Sequence, residues 1–219
     1  VVLMTIITCS SLKGGVGKTS LAVNLAHAYA YRGCMTLLID LDPSSHASRL
    51  FYNETLCNFF PKVSPLAKAF LNKNKKEINS KILSQNEDPF FLPVTSHLEL
   101  LPAGKELRYF IPAQGAKHFA KNFPNLIEEL KGHFDYIIID TPPEFNVLTR
   151  NALAISDISL CPVDSSEMGI HSVEELLQSA NHIKKPVWAL VRTMVNTQAE
   201  RTKVLSSQRL QANLLLRSN

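Results

Sequence analysis

The sequence predicts an α/β protein, three layers deep, with a doubly wound and mostly parallel β-sheet between two layers of helices. Three observations carry that prediction. Short apolar, β-branched runs alternate with helical periodicity along most of the 219 residues, the pattern of strands joined by crossover helices. A glycine-rich turn, "SLKGGVGKTS" (11–20), follows the first such run. Acidic residues close two later runs, "LLID" and "YIIID", and open α/β sheets gather their ligands at the carboxyl ends of strands.

"MTIITC" (4–9) reads as the first strand. "SLAVNLAHAYAYRG" (20–33) reads as a helix: Leu21, Leu25 and Ala28, and likewise Ala22, Ala26 and Ala30, recur at helical spacing, and Gly33 stops it. "MTLLIDLD" (35–42) is a second buried strand, and "LELLPAG" (98–104) and "YIIID" (136–140) are two more. "ISLCPV" (158–163) and "VWALVRTM" (187–194) bring the expected total to about six. Between residues 51 and 95 the pattern loosens, and the polar, lysine-rich "NKNKKEINSK" predicts a helical surface segment. No internal repeat or low-complexity tract interrupts the chain, so a single domain over residues 1–219 is expected.

Composition sets outer bounds. Apolar residues make up 45% and charged residues 19%, ordinary values for a globular protein with a sizeable core. No apolar run approaches the ~18 residues that span a bilayer. The start "VVLMTII" lacks the basic region, long apolar stretch and cleavage site of a signal peptide. Cys9, Cys34, Cys57 and Cys161 lie far apart, with no CxxC pair and no zinc-like spacing, so reduced cysteines in a cytoplasmic protein are expected. The net charge is +4, yet residues 184–219 carry seven basic side chains against Glu200 alone, a local excess of six. That excess reads equally as a solvated helical face or as a footprint for backbone phosphates of nucleic acid.

The glycine-rich turn carries the chemistry. A strand, a glycine turn and a helix start converge several backbone N–H groups on one point, which suits a phosphate. Gly14, Gly15 and Gly17 allow torsions and close approach that a Cβ would obstruct, and Val16 completes the loop backbone. Lys18 is placed to reach the β- and γ-phosphates, Thr19 to offer its hydroxyl to Mg²⁺, and Ser20 to meet the α-phosphate. The strict phosphate-loop pattern asks for glycine at position 12, where this chain has Leu12, and a second lysine, Lys13, stands beside it. Asp140, ending "YIIID", is suited to hold the magnesium through water. Asp40 and Asp42, two apart at the end of the second strand, share a face.

"KGGVGKTS" (13–20), "LLIDLDPSSHAS" (37–48) and "FDYIIIDTPPEFNVLTRNAL" (134–153) resemble the three signature segments of the ParA/MinD family of deviant Walker-motif ATPases. The likeness extends to "ELLPAGKEL" (99–107), "SDISLCPVDSSEMGIHSVEELL" (156–177) and "LVRTMVNTQAERT" (190–202), leaving out roughly residues 51–95. The resemblance implies a P-loop NTPase fold of the SIMIBI class and an ATPase that uses ATP and Mg²⁺. It implies that Lys13 is the signature lysine, reaching across a homodimer to the partner's nucleotide, as an arginine finger does. It further implies that Asp42 positions the attacking water and that Asp40 sits nearer the magnesium shell. Asp140 to Pro143 would sense the γ-phosphate, and Thr193 would contact the adenine.

Within the family the phrases "DLDPSSHAS", "DTPPEFNVLTRNAL" and "TMVNTQAERT" resemble ParA more than MinD. The ParA likeness implies slow ATP hydrolysis, non-specific DNA binding by the ATP dimer, and control by a ParB-like partner on a centromere-like site. It also implies a nucleoid- or plasmid-associated location in the cytoplasm. A MinD-like membrane helix is the competing reading of "RLQANLLLR", and a nucleotide-binding regulator without turnover is another. The nitrogenase iron protein is disfavoured because no cysteine lies between Cys57 and Cys161. Two departures stand out: "PSSH" replaces the family's usual "PQGN", and the family's closing strand and helix are expected to be short or missing here.

Overall fold

The computed structural model describes residues 4–51, 91–183 and 186–195. In chain order these form β1 (Thr5–Cys9), α1 (Lys18–Tyr31), β2 (Thr36–Asp40), α2 (His46–Phe51), β3 (Leu92–Thr95) and β4 (Leu98–Leu101). A 3₁₀ turn (Lys105–Phe110), α3 (Ala113–Glu129), β5 (Tyr136–Asp140), α4 (Val147–Ile155), β6 (Ile158–Val163), α5 (Glu167–Ser179) and β7 (Val187–Arg192) follow. The sheet runs β3-β4-β2-β5-β1-β6-β7, and every neighbouring pair is parallel except β3 with β4.

Alternation along the strands builds two core layers, because successive side chains leave a strand on opposite faces. Ile6, Leu37, Ile39, Ile137 and Ile139 pack with Phe110, Phe119, Phe123, Leu126 and Leu148 from the 3₁₀ turn, α3 and α4. Their chain neighbours Ile7, Leu38 and Ile138 pack on the other face with Ala22, Ala26 and Ala30 of α1. The alanine stripe is fully or almost fully buried, and its small side chains let α1 lie close to the sheet. A third cluster joins Cys161 and Val163 of β6 to Val173, Leu176 and Leu177 of α5.

The expected fold class stands, with differences at its edges. Among the described residues a seventh strand, β3, joins the six anticipated, falling between the second and third of them in the chain and at the edge of the sheet. Pro93 lies inside it, and its pairing with β4 shifts register between Pro93 and Thr95. Proline cannot donate to a ladder and is tolerated on edge strands, which is why "FLPVT" did not read as a strand. The strands expected to reach Asp42, Gly104 and Met194 end at Asp40, Leu101 and Arg192. Helix α1 starts at Lys18, two residues before Ser20. Most of the lysine-rich segment between residues 51 and 95, and the basic stretch beyond residue 195, lie outside the described residues.

One close approach is a stringent test of the packing. A Cβ at Gly115 would lie 2.2 Å from the Tyr109 carbonyl oxygen and 2.7 Å from Phe110 Cα. Both are backbone atoms, so the first turn of α3 would have to move off the 3₁₀ turn. Gly115→Ala is therefore expected to destabilise the protein by about 2–3 kcal/mol, read as a lower midpoint in urea unfolding.

Candidate functional site

Register brings the candidate residues to one rim. Cys9 lies opposite Asp140 across β1 and β5, and Asp40 lies opposite Asp140 across β2 and β5. Three strands thus end level, and the turns that follow them start side by side. The Thr141 hydroxyl donates to the Cys9 carbonyl at 2.9 Å, and the Leu41 amide donates to the Asp140 carbonyl at 2.9 Å. These bonds stitch the three turns together where they leave the sheet.

The glycine-rich turn is held in an open loop. Gly15 and Gly17 have φ of 74° and 89°, left-handed values that side chains resist. The Ser10 amide donates to the Leu160 carbonyl at 3.0 Å, and the Lys13 amide to the Ser11 hydroxyl at 3.2 Å. The Lys18 ammonium crosses the loop to the Lys13 carbonyl at 3.2 Å. Asn146 and Ser166 cap α4 and α5 with their side chains, but α1 follows Gly17, which offers no side-chain cap. Its first N–H groups and its helix dipole therefore favour an anion at this point.

The carboxylates differ in character. Asp140 is completely buried, and neither of its oxygens makes a hydrogen bond of full geometry. Burial pushes its pKa up to about 7, and Asp40 adds to the rise, while the Thr19 hydroxyl and the Lys18 ammonium oppose it. Asp42 is 7% exposed and accepts the Ser44 amide at 2.8 Å. Asp40 turns into the loop after β2. It accepts the Asp42 amide at 3.0 Å, the Ser48 amide at 2.9 Å and the Ser48 hydroxyl at 2.7 Å. Ser48 in turn accepts the Ala103 amide at 3.1 Å. Burial raises Asp40 to about 6 against those donors. Burial also lowers Lys18, with Asp140 and Asp42 the strongest opposing charges.

Lys13 is held within its own chain. Its ammonium donates to Asp164 at 2.5 Å and to the Ser166 hydroxyl at 2.9 Å. Burial alone would raise Asp164, but Lys13 and Ser166 donate to it strongly enough to hold it below the usual carboxylate range. Gly169 makes room for this contact, since a Cβ there would lie 2.1 Å from an Asp164 carboxylate oxygen. Sequence reasoning did not single out Asp164, Ser166 or Ser48. An acid and a serine between a buried strand and a helix start was the available signal for the first two. Thr193, expected at the adenine, directs its hydroxyl to the Val16 carbonyl at 2.8 Å. Beside Asp42 a cavity of about 410 Å³ opens between the turns after β2 and β5 and the start of α3, with Arg108 and Glu144 on its walls.

A glycine loop, a lysine at its end and an uncapped helix beside buried acids on a parallel sheet define a P-loop nucleotide-binding fold. Residues 4–193 match the protein family described as "AAA domain". The chain is 31% identical to the sporulation initiation inhibitor protein Soj of Bacillus subtilis, over 82% of this chain and 66% of Soj. It is also 31% identical to the chromosome partitioning protein ParA of Myxococcus xanthus, over 82% of this chain and 59% of that one. The fold matches a plasmid partition protein from Borrelia burgdorferi with a TM-score of 0.63 at 25% identity, covering 89% of this chain and 80% of the other. It matches cobyrinic acid a,c-diamide synthase from Mycobacterium smegmatis, solved with ADP and magnesium, at a TM-score of 0.68 and 20% identity, covering 97% and 82%. The chain belongs to the ParA/MinD family of P-loop ATPases. It spans 66% of the length of Soj and 59% of that of ParA. Among the described residues no helix is long and apolar enough to cross a membrane.

The raised pKa of Asp140 makes ligand-free stability depend on pH. A carboxyl that binds its proton more tightly when folded stabilises the fold fully below its ordinary pKa of 3.8, and this is lost as pH rises through about 7. Asp140→Asn removes that loss, so its stability relative to wild type is expected to increase from about pH 4 to about pH 8. Urea unfolding at both ends of that range checks it; a pH-independent difference would contradict the assignment.

Proposed function

We propose that the chain is a partition-type ATPase that binds ATP with Mg²⁺, dimerises around the nucleotide and hydrolyses it slowly. The observation that supports this most strongly is the convergence of Lys18, Asp42 and the orphaned Asp140 carboxylate around one uncapped helix start. In this reading the N–H groups of Gly14, Gly15, Val16 and Gly17, with Lys18 and Ser20, bind the phosphates. Thr19 and Asp140 hold the magnesium. The residues fit that ion: Asp140 offers two buried, unsatisfied hard oxygens beside the Thr19 hydroxyl, and magnesium commonly takes one or two protein oxygens while keeping water and phosphate. When bound, the ion neutralises charge on the phosphate oxygens. Asp40 acts differently, fixing the turn that carries Asp42 through its three donors.

Asp42, at the mouth of the site, orients the attacking water and accepts its proton. Lys13 serves the partner's nucleotide and so must leave Asp164 and Ser166. That exchange breaks a pair whose Lys13 and Asp164 side chains are only 24% and 19% exposed, so it needs a strongly charged competitor. The triphosphate of a second subunit carries more charge and competes for the ammonium. A switch of this kind retains its state until a partner arrives, and we assign that role to a ParB-like protein. We further assign non-specific DNA as the surface bound by the ATP dimer, by analogy with the named partition relatives.

Sedimentation velocity with ATP and Mg²⁺, followed by a DNA mobility shift at two salt concentrations, tests this. Wild type is expected to dimerise and to bind DNA less tightly at higher salt. Lys18→Ala is expected to weaken nucleotide binding by about 10- to 100-fold. Lys13→Ala should still bind nucleotide but lose the dimer, and Asp42→Ala should dimerise without turnover. Asp164→Asn should shift the wild-type equilibrium toward dimer. A wild type that stays monomeric with a non-hydrolysable triphosphate would refute the reading.

A further inference from the structure

We propose that Thr193 is a positioning residue for the phosphate-binding loop, aiming the Gly17 N–H into the anion site by holding the Val16 carbonyl. The inference rests on the reading that this loop binds nucleotide phosphate. The Thr193 hydroxyl donates to the Val16 carbonyl at 2.8 Å. The Val16 carbonyl and the Gly17 N–H belong to one planar trans peptide, in which the two groups point in opposite directions. Fixing the carbonyl toward Thr193 therefore directs the N–H away from Thr193. We assign that direction to the anion site of the loop, which Lys18 crosses to reach the Lys13 carbonyl.

The support is rigid on both sides of this bond. The last paired residues of β6 and β7 are Val163 and Arg192. The Thr193 amide continues that ladder one step, donating to the Val163 carbonyl at 2.9 Å. On the loop side, Val16 is 1% exposed and cannot swing out to water. The Thr193 methyl lies 3.8 Å from where a Cβ of Gly17 would stand, so the side chain also packs on the back of the turn. Gly17 has φ of 89°, a conformation with freedom to flip its preceding peptide, and a flip would turn the N–H out of the site. A hydroxyl on a sheet end is a suitable restraint against that flip.

The experiment measures ADP and tripolyphosphate affinities by displacement of a fluorescent nucleotide. Tripolyphosphate has no base, so it reports on the loop alone. Thr193→Val, which keeps the shape and loses the hydroxyl, is expected to weaken both ligands by a similar factor, about fivefold to tenfold. Thr193→Ser retains the donor and is expected to stay within about twofold of wild type. Should the valine variant not fold, Thr193→Ala removes the same donor and carries the same expectation. Loss of ADP binding with tripolyphosphate unchanged would overturn the proposal in favour of a contact to the base. Unchanged binding of both ligands, or a serine variant as weak as valine, would overturn it too. Lys18→Ala separates the two levels: if it binds both ligands like wild type, the nucleotide reading itself fails.

Discussion

The level register of β2, β5 and β1 at their carboxyl ends is the constraint from which the site follows. Parallel pairing sets Asp40, Asp140 and Cys9 in one row, so the loops that leave these strands start within a few ångströms of one another. The same pairing places Asp140 deep enough to be completely buried. A buried carboxylate without hydrogen bonds is costly, and a fold selected for stability alone would have placed an apolar residue there. Its persistence fits a site whose final partner is a cation beside phosphate.

Around that row the chain divides its acids by role. Asp40 is saturated by donors from residues 42–48 and shapes a turn. Asp140 is left unsatisfied, and Asp42 sits at the mouth, where its carboxylate accepts the Ser44 amide. In the proposed reading three acids within one rim serve as brace, anchor and reactive group, and what separates them is the number of hydrogen bonds each accepts. The raised pKa values of Asp40 and Asp140, about 6 and about 7, share burial as the leading cause.

The phosphate loop is also held from outside itself. The ends of β6 and β7 contribute Asp164 with Ser166 and Thr193, which engage the Lys13 ammonium and the Val16 carbonyl. One hold is ionic, between side chains 24% and 19% exposed; the other is a neutral hydrogen bond onto backbone. In the proposed reading the first suits a group that leaves for a partner's nucleotide, the second a group that stays. Both depend on β6 lying next to β1 and β7 next to β6, so the order of strands, rather than the loop's own composition, supplies the restraint.

Much of this was legible before any coordinates. Short apolar, β-branched runs, an alanine stripe at helical spacing and glycines before Lys18 each report local physics, because strand propensity, helical periodicity and glycine torsions act within a few residues. The sequence alone therefore determined the layers, the six principal strands, the loop and its flanking acids. It did not reveal β3, where Pro93 masks a short edge strand, or the partners of Lys13 and Thr193. Those pairs are separated by 151 residues for Lys13 with Asp164 and 177 for Thr193 with Val16. Only tertiary structure brings such distant groups within hydrogen-bond range, since hydrogen bonding depends on distance and angle and leaves no periodic trace along the chain.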